Sequence, residues 1–312
     1  MSRIHEALKR AEEQRAASQG GQVPPSQTAE VTLSNASVEA QAVGIGSTGV
    51  TLPSFAAPFT LDTLLARCLQ NNWTPDTETM LFFKAEEQGY GTEEFRTLRS
   101  RLYQTRERQV LKKVLVTSAL PKEGKSFVAA NLAQVMVRQH GRRALLIDAD
   151  LRGARLGNVL GTSATPGLAE YLLAENDEFG IMQRGAMENL FFIPSGRSVS
   201  SPTELVANGR LKILLNRVEA LFDWIIIDSP PALPVSDAGL LANYCDGVLM
   251  VVRSNATPSD LARKACQEFR DKNLVGVVLN GIEAGSSPYN QYYTGGNGRP
   301  SGRPSAKGAT QS

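Results

Sequence analysis

Histidine and cysteine are scarce in this sequence of 312 residues, which contains two histidines and three cysteines. Cys68, Cys245 and Cys266 are too widely spaced to indicate a disulfide framework or a zinc knuckle. His5 and His140 alone do not supply a histidine-rich metal site. The 33 basic and 31 acidic residues leave a net charge of +2. This balance lacks the strong basic excess that is typical of a nucleic-acid-binding protein.

Long apolar runs are also missing. No window approaches the ~20 apolar residues that a membrane-spanning helix requires. The charged N-terminus, "MSRIHEALKRAEEQ", has no apolar signal-peptide core. The longest runs, such as "VLMVV" at 248–252, have the length of buried strands. Because the hydrophobic fraction of 42% is enough for a substantial core, we expect a soluble, cytoplasmic protein with a folded domain.

Composition divides the chain into five zones. The stretches rich in Gln, Ser, Pro and Gly cannot bury enough apolar surface to offset the entropy lost on ordering. Apolar runs that alternate with helical patterns begin only at about residue 110. The predicted zones are an N-terminal amphipathic helix (1–18), a disordered linker (19–59), a charged helical extension (60–108), an α/β domain (109–284) and a flexible, tyrosine-containing tail (285–312).

Six short apolar runs define the predicted fold. Near-continuous apolar strands separated by helices indicate a mostly parallel sheet covered by helices on both faces. Ligands of such sheets bind at the carboxyl ends of the strands, so functional residues are expected there. The runs lie at 114–118, 144–148, 190–194, 224–228, 247–252 and 275–280.

The first run leads into a phosphate-loop-like segment, "SALPKEGKS" at 118–126. The loop pattern of P-loop NTPases requires Gly, four residues, then Gly-Lys-Ser/Thr. Gly124, Lys125 and Ser126 fit this pattern, but Ala119 stands where the first glycine is expected. Lys125 is placed to reach the β- and γ-phosphates and the Ser126 hydroxyl to bind Mg²⁺. The alternative is an ordinary βα turn with a helix-capping serine.

Aspartates end two further strands. Asp148 and Asp150 follow "LLI" at 145–147, and Asp228 ends "WIIID" at 224–228. Aspartates at i and i+2 share one face of an extended chain, which is unfavourable unless a cation lies between them. An aspartate at a strand end is also a common turn residue. Together with the loop, the three carboxylates predict a site for a nucleotide with Mg²⁺.

At these motifs the sequence resembles the bacterial tyrosine autokinases of capsule and exopolysaccharide synthesis. The resemblance rests on "ALPKEGKS", "LLIDADLR" and "WIIIDSPP", supported by "PGLAEYL", "SPTELVANGRLKILL", "EEFRTLRSRL" and the terminal tyrosines, and it spans roughly residues 90–294. The family is related to the MinD and ParA ATPases of division-site placement and chromosome partitioning. Those relatives typically carry a second lysine at the position of Leu120, and its absence favours the kinase branch.

The resemblance implies a P-loop fold, an ATP-dependent protein-tyrosine kinase activity and roles for particular residues. Asp148 would approach the tyrosine hydroxyl, while Ser126, Asp150 and Asp228 would organise Mg²⁺ and water. Arg152 would stabilise transferred charge or only pair with a neighbouring acid. Asn280 would contact the adenine or form a plain strand-end turn. The implied ATP contacts come from Asn280 and from the loop residues Ala119, Leu120, Pro121, Lys122, Glu123, Gly124, Lys125, Ser126 and Phe127, with Lys125, Asp148, Asp150 and Arg152 as the catalytic set.

The resemblance also implies self-assembly and self-phosphorylation. The family's "E-x-x-R-x-x-R" motif, which mediates ring assembly, matches Glu93, Arg96 and Arg99. From the residues alone, this motif is interpreted as a solvated helix face with i,i+3 pairing, and it is the resemblance that favours an interface. A flexible tail can carry tyrosines to the active site of a neighbouring subunit. The acceptors would be Tyr289, Tyr292 and Tyr293.

Two other functions remain open at this stage. One is a MinD/ParA-like ATPase switch that transfers phosphate only to water, and the other is a nucleotide-gated assembly factor without kinase activity. The resemblance further implies a separate membrane-embedded polysaccharide co-polymerase as activator, other protein tyrosine substrates and no nucleic-acid partner. The expected location is therefore the inner face of the membrane, reached through that partner.

Overall fold

A computed structural model describes residues 59–83, 91–185 and 187–282 of the chain. Within these residues an eight-stranded sheet has the order β1-β4-β5-β3-β6-β2-β7-β8. The strands are β1 (Leu69–Gln70), β2 (Lys113–Ser118), β3 (Ala144–Asp148), β4 (Gln183–Arg184), β5 (Leu190–Ile193), β6 (Trp224–Asp228), β7 (Gly247–Arg253) and β8 (Leu274–Asn280). The sheet is mostly parallel, as predicted, and only β4 pairs antiparallel, with β5.

The helices of the described part connect these strands. They are α1 (Leu61–Arg67), α2 (Thr92–Arg106), α3 (Lys125–Val137), α4 (Leu156–Leu160), α5 (Leu168–Leu172), α6 (Pro202–Ala207), α7 (Arg210–Val218), α8 (Asp237–Ala242) and α9 (Ser259–Glu268), with 3₁₀ turns at Glu219–Leu221 and Arg270–Lys272. Across 59–83, 91–185 and 187–282, none of the helices has the length and apolar character that crossing a bilayer requires.

The central strands β2, β3 and β6 are apolar on both faces because both faces are covered. Alternate residues point to opposite sides of the sheet, so Leu115 and Ile147 join one core cluster, whereas Val116 and Leu146 join the other. Helix α3 packs against the second cluster and is buried along most of its length. This burial on both faces explains the near-continuous apolar runs in the sequence.

The edge strand β8 departs from the predicted double cover. Val277 and Leu279 are each 54% exposed, although both lie in an apolar run. In the described part of the chain β8 pairs only with β7, so it is the end of the sheet. Apolar runs in the sequence therefore do not distinguish a central strand from this edge strand.

Among the described residues of the predicted helical extension at 60–108, the helices are α1 and α2, at its two ends. The segment at 68–83 packs into the domain, since Trp73, Met80 and Phe82 belong to a core cluster. Two buried amides of α3 hold its backbone: Asn131 Oδ1 accepts from the Leu81 N–H at 2.9 Å, and Gln134 Oε1 from the Phe82 N–H at 3.2 Å. The folded domain thus begins well before the predicted boundary at residue 109.

Two adjacent leucines of α1 test this boundary. Leu64 is fully buried, whereas Leu65 is 37% exposed. We expect Leu64→Ala to lower the free energy of unfolding by about 2–5 kcal/mol, because it removes core packing and leaves a cavity. Leu65→Ala, the matched control, should cost only about 0.5–1 kcal/mol. Urea unfolding of both variants measures the difference, and equal losses would contradict the placement of α1 in the core.

Candidate active site

The loop between β2 and α3 carries the phosphate-loop residues at the carboxyl edge of the sheet. Lys122 and Gly124 have positive φ angles of 66° and 94°, a region where residues with a Cβ are strained. At Gly124 a Cβ would lie 2.0 Å from Asn280 Nδ2, so a larger residue there would push the Asn280 side chain away from the loop. Helix α3 begins at Lys125, which directs its free N-terminal amides towards the loop.

Ala119 explains how the loop forms without its first glycine. The residue is fully buried and belongs to a core cluster, so its methyl group fills space inside the domain. It is not among the residues with positive φ, and the backbone there does not require glycine. The mismatch of one methyl group therefore leaves the strand–loop–helix geometry intact.

Lys125 lies at the centre of the candidate site. Its Nζ donates to Asp150 Oδ2 at 2.8 Å and lies 3.9 Å from Asp228 Oδ2 and 3.3 Å from Ser126 Oγ. Burial lowers the pKa of Lys125, but the charges of Asp228 and Asp150 outweigh it and raise the pKa above the ordinary lysine value. The ammonium is therefore firmly charged and neutralises the acids around it.

The strand-end carboxylates come together as the sequence predicts. Asp148 and Asp228 are direct neighbours in the β3–β6 register, and both are 1% exposed. Burial, with the charges of Asp228 and Asp150, raises the pKa of Asp148 to about 7. Burial also raises the pKa of Asp228 to about 6, although Lys125 and Ser126 lower it. Three acids thus surround a single buried ammonium group.

Hydrogen bonds fix two of the three carboxylates. Asp148 accepts from the N–H groups of Asp150 and Leu156, each at 3.2 Å. Asp150 Oδ1 accepts from the Gly153 N–H at 2.9 Å. Asp228 Oδ1, by contrast, is buried and has no hydrogen-bond partner. A buried carboxylate oxygen without a donor is costly, and its position fits a cation or a water held by one.

These residues fit a magnesium ion that arrives with a nucleotide. Within the described residues, no three His, Cys, Asp or Glu side chains form a ready-made metal site. Mg²⁺ in phosphate-transferring proteins is usually held by one or two carboxylates together with phosphate oxygens and waters. Ser126, Asp150 and the unpartnered Asp228 Oδ1 offer hard oxygen donors of this kind.

Arg152 is paired rather than free. Its Nε donates to Asp237 Oδ2 at 2.8 Å, and its Nη2 donates to Thr203 Oγ1 at 2.8 Å. Asp237 is buried at the start of α8. Of the two hypotheses for Arg152, pairing with a neighbouring acid is the one whose contact is present. Sequence reasoning missed Asp237, although an aspartate opening a helix after the strand-end "SPPALPVS" is a usable signal.

Asn280 contacts the phosphate loop. Its Nδ2 donates to the Glu123 carbonyl oxygen at 2.9 Å. The side chain therefore supports the loop rather than forming only a turn at the end of β8. Its contact with an adenine stays a prediction.

The predicted assembly motif on α2 is divided between two environments. Glu93 and Arg96 form the expected i,i+3 ion pair. Arg99 instead donates from Nη1 to the Val135 carbonyl oxygen of α3 at 2.9 Å. The role of the three residues in a ring interface stays a prediction. The predicted acceptors Tyr289, Tyr292 and Tyr293, the predicted helix at 1–18 and nearly all of the predicted linker at 19–59 lie outside the described residues.

The regions that match known proteins include the end of the phosphate loop and the strand-end aspartates. A family model described as an AAA domain matches residues 122–260. Tyrosine-protein kinase YwqD of Bacillus subtilis is 34% identical over 210 residues, which are 67% of this chain and 88% of YwqD. Putative tyrosine-protein kinase EpsB of Ralstonia nicotianae is 34% identical over 178 residues, 56% of this chain but 24% of EpsB. The solved kinase domain of the Escherichia coli tyrosine kinase ETK aligns with a TM-score of 0.59 at 30% identity, over 62% of this chain and 77% of that one.

The parallel sheet, the loop ending in Gly124-Lys125-Ser126 and the strand-end aspartates define a P-loop NTPase fold. Within that class, the chain belongs to the bacterial tyrosine-protein kinase family, as the sequence resemblance predicts. It spans most of the length of YwqD but only about a quarter of EpsB.

The raised pKa of Asp148 predicts a cost in stability that the site imposes on the domain. Between the ordinary aspartate pKa of about 4 and about 7, the folded chain holds a proton that the unfolded chain releases. The stabilising contribution of this group is therefore complete below about pH 4 and is lost as pH rises through about 7. In protein freed of nucleotide and divalent cations with EDTA, we expect Asp148→Asn to raise the Tm at pH 8 by roughly 2–4 °C or more, and by less at pH 5.

Asp223→Asn is the control of opposite sign. Burial opposes the shift, but hydrogen bonds from Arg143 N and the Arg142 guanidinium hold the pKa of Asp223 below its ordinary value. Its contribution is present above the ordinary pKa and is lost as pH falls through the lowered one. Asp223→Asn should therefore lower the Tm at pH 8. Thermal unfolding of both variants across pH 5–8 measures these changes. Tm changes of the same sign at pH 8 would contradict the opposite pKa shifts of Asp148 and Asp223.

Proposed function

We propose that this protein is an ATP-dependent protein-tyrosine autokinase that transfers the γ-phosphate of ATP to tyrosines of its own C-terminal tail. The observation that carries the proposal is the cluster of Lys125, Asp148, Asp150 and Asp228 around a phosphate loop. Membership of the tyrosine-protein kinase family supports it. Phosphoryl transfer proceeds through a loose transition state, so it depends mainly on positioning and charge neutralisation, and this cluster supplies both.

The phosphate loop binds the nucleotide. Amides at the start of α3 and the Lys125 ammonium hold the β- and γ-phosphates, and Lys125 exchanges its contact with Asp150 for phosphate oxygens. Ser126, Asp150 and Asp228 would hold the magnesium ion. The ion, when bound, neutralises phosphate charge. Expelling the nucleotide's hydration shell at this buried edge strengthens each of these contacts.

Asp148 serves the acceptor side of the reaction. The tyrosine oxygen forms a bond to the γ-phosphorus as the bond to the bridging oxygen of ADP breaks, and the phenolic proton passes to the Asp148 carboxylate. The backbone hydrogen bonds from Asp150 and Leu156 orient that carboxylate. Arg152, held by Asp237 and Thr203, fixes the loop that carries Asp150.

The tail, the assembly and the partner complete the proposal. Tyr289, Tyr292 and Tyr293 are the acceptors, and the motif at Glu93, Arg96 and Arg99 joins subunits into a ring in which one subunit's tail meets its neighbour's site. A separate membrane polysaccharide co-polymerase activates the kinase and holds it at the inner face of the membrane. Phosphorylation of the tail and of other protein tyrosines then regulates capsule or exopolysaccharide synthesis and export.

Autophosphorylation with Mg-ATP, read by anti-phosphotyrosine blot, tests the proposal. We expect a signal from the wild type and at least a roughly 100-fold weaker one from Lys125→Met, since the lysine carries transition-state charge stabilisation. A chain truncated after Ser287 and the combined Tyr289→Phe, Tyr292→Phe and Tyr293→Phe variant should both lose the signal while still binding nucleotide.

Lys113→Met is a matched control for Lys125→Met. Lys113 is a half-buried lysine at the other end of β2 that also pairs with two acids, Glu219 at 2.8 Å and Asp246 at 3.4 Å. Its loss should leave phosphotyrosine unchanged. If the wild type releases phosphate from ATP but forms no phosphotyrosine, even with a co-polymerase activator added, the ATPase switch replaces the kinase. Nucleotide binding without any turnover would favour the assembly factor.

A further inference from the structure

We infer that Arg253, the last residue of β7, and Thr257, in the connection between β7 and α9, are positioning residues for the nucleotide. They hold the phosphate loop in its binding conformation through Lys122 and Glu123. We refer to these four residues as the loop brace. The inference rests on the proposed nucleotide site and adds two residues that no motif of the sequence singles out.

Glu123 is the buried link of the loop brace. Its side chain belongs to the phosphate loop yet is only 3% exposed. Oε2 accepts from the Leu120 N–H at 2.7 Å, which closes the loop across its own turn. Oε1 accepts from the Thr257 hydroxyl. Both carboxylate oxygens are therefore satisfied inside the protein, as burial of a charged group requires.

Thr257 and Arg253 connect the loop to the sheet. The Thr257 hydroxyl oxygen accepts from the Arg253 N–H at 3.1 Å while its proton goes to Glu123. The Arg253 side chain donates from Nη1 to the Lys122 carbonyl oxygen at 3.2 Å. Hydrogen bonds from Arg253 and Thr257 thus hold two consecutive loop residues, Lys122 and Glu123. Thr257 lies 134 residues after Glu123 in the sequence.

The contacts fall where the loop backbone is most strained. Lys122 has a φ of 66° and Gly124 a φ of 94°; Lys122 belongs to the loop brace, and Glu123 lies between the two. A lysine in the left-handed region is strained, so this conformation persists only where its surroundings hold it. Backbone amides of such a loop bind phosphate well only when they are already aimed at it. The loop brace therefore contributes to nucleotide affinity without touching the nucleotide.

Thr257→Val and Thr257→Ser form the matched test. Valine keeps the shape and removes the hydroxyl, whereas serine keeps the hydroxyl. Because valine removes a hydrogen bond to a buried carboxylate, we expect Thr257→Val to weaken Mg-ADP binding by roughly 10-fold or more and to raise KM for ATP more than it lowers kcat. Thr257→Ser should bind Mg-ADP within about 3-fold of the wild type. Isothermal titration calorimetry gives the affinities.

A double-mutant cycle shows whether Thr257 acts through Glu123. Once Glu123→Ala has removed the acceptor, adding Thr257→Val should weaken Mg-ADP binding no further. Additive losses would overturn the link. A lower Tm for Thr257→Val with unchanged Mg-ADP affinity would reduce the contact to a structural one and overturn the inference.

Arg253→Met gives an independent reading if Thr257→Val does not fold, because Arg253 lies at the exposed end of β7. It should weaken Mg-ADP binding several-fold without changing the Tm, and unchanged affinity would contradict the loop brace. Failure of the wild type itself to bind Mg-ADP would overturn the proposed function and the loop brace with it. Binding by the wild type and by every variant alike would overturn the loop brace alone.

Discussion

The parallel register between β3 and β6 is the constraint on which the candidate site depends. It places Asp148 beside Asp228 at the end of two strands that are buried on both faces, so neither carboxylate can turn towards water. Two buried acids side by side repel each other and lose hydration. The nearby Lys125 ammonium makes the arrangement tolerable in the free protein. The loop, the first turn of α3 and the segment after β3 are all arranged around this one cation and its acids.

Packing in the surrounding core offsets the destabilising burial of the charged groups in the site. The central strands interleave with both core clusters, and α3 is buried against the sheet and tied to the 79–82 segment by Asn131 and Gln134. Leu120, where related ATPases have a lysine, packs against the first core cluster instead of offering a second charge. The candidate site therefore holds one buried ammonium, that of Lys125, and natural proteins commonly accept such local costs at functional sites.

The strands and the site motifs could be predicted because their signals are local. The runs at 144–148 and 224–228 coincide with β3 and β6, and Lys125, Asp148, Asp150 and Asp228 meet because parallel strands end at one edge. The sequence did not predict contacts between residues that are distant along the chain. An example is the ion pair of Arg152 and Asp237, which lie 85 residues apart. The packing of 71–83 was missed for another reason, since its apolar residues follow no helical or strand period. The exposure of β8 depends on sheet order, which an apolar run does not encode.

The bond between Asn280 and the Glu123 carbonyl oxygen has a geometric consequence for the chain beyond β8. It fixes the last residue of that strand against the phosphate loop, and Tyr289 follows Asn280 by nine residues. A chain of that length spans at most about 30 Å, since a fully extended residue covers ~3.3–3.6 Å. The backbone of Tyr289 can therefore lie no farther than this distance from Asn280, and Asn280 itself is held against the phosphate loop.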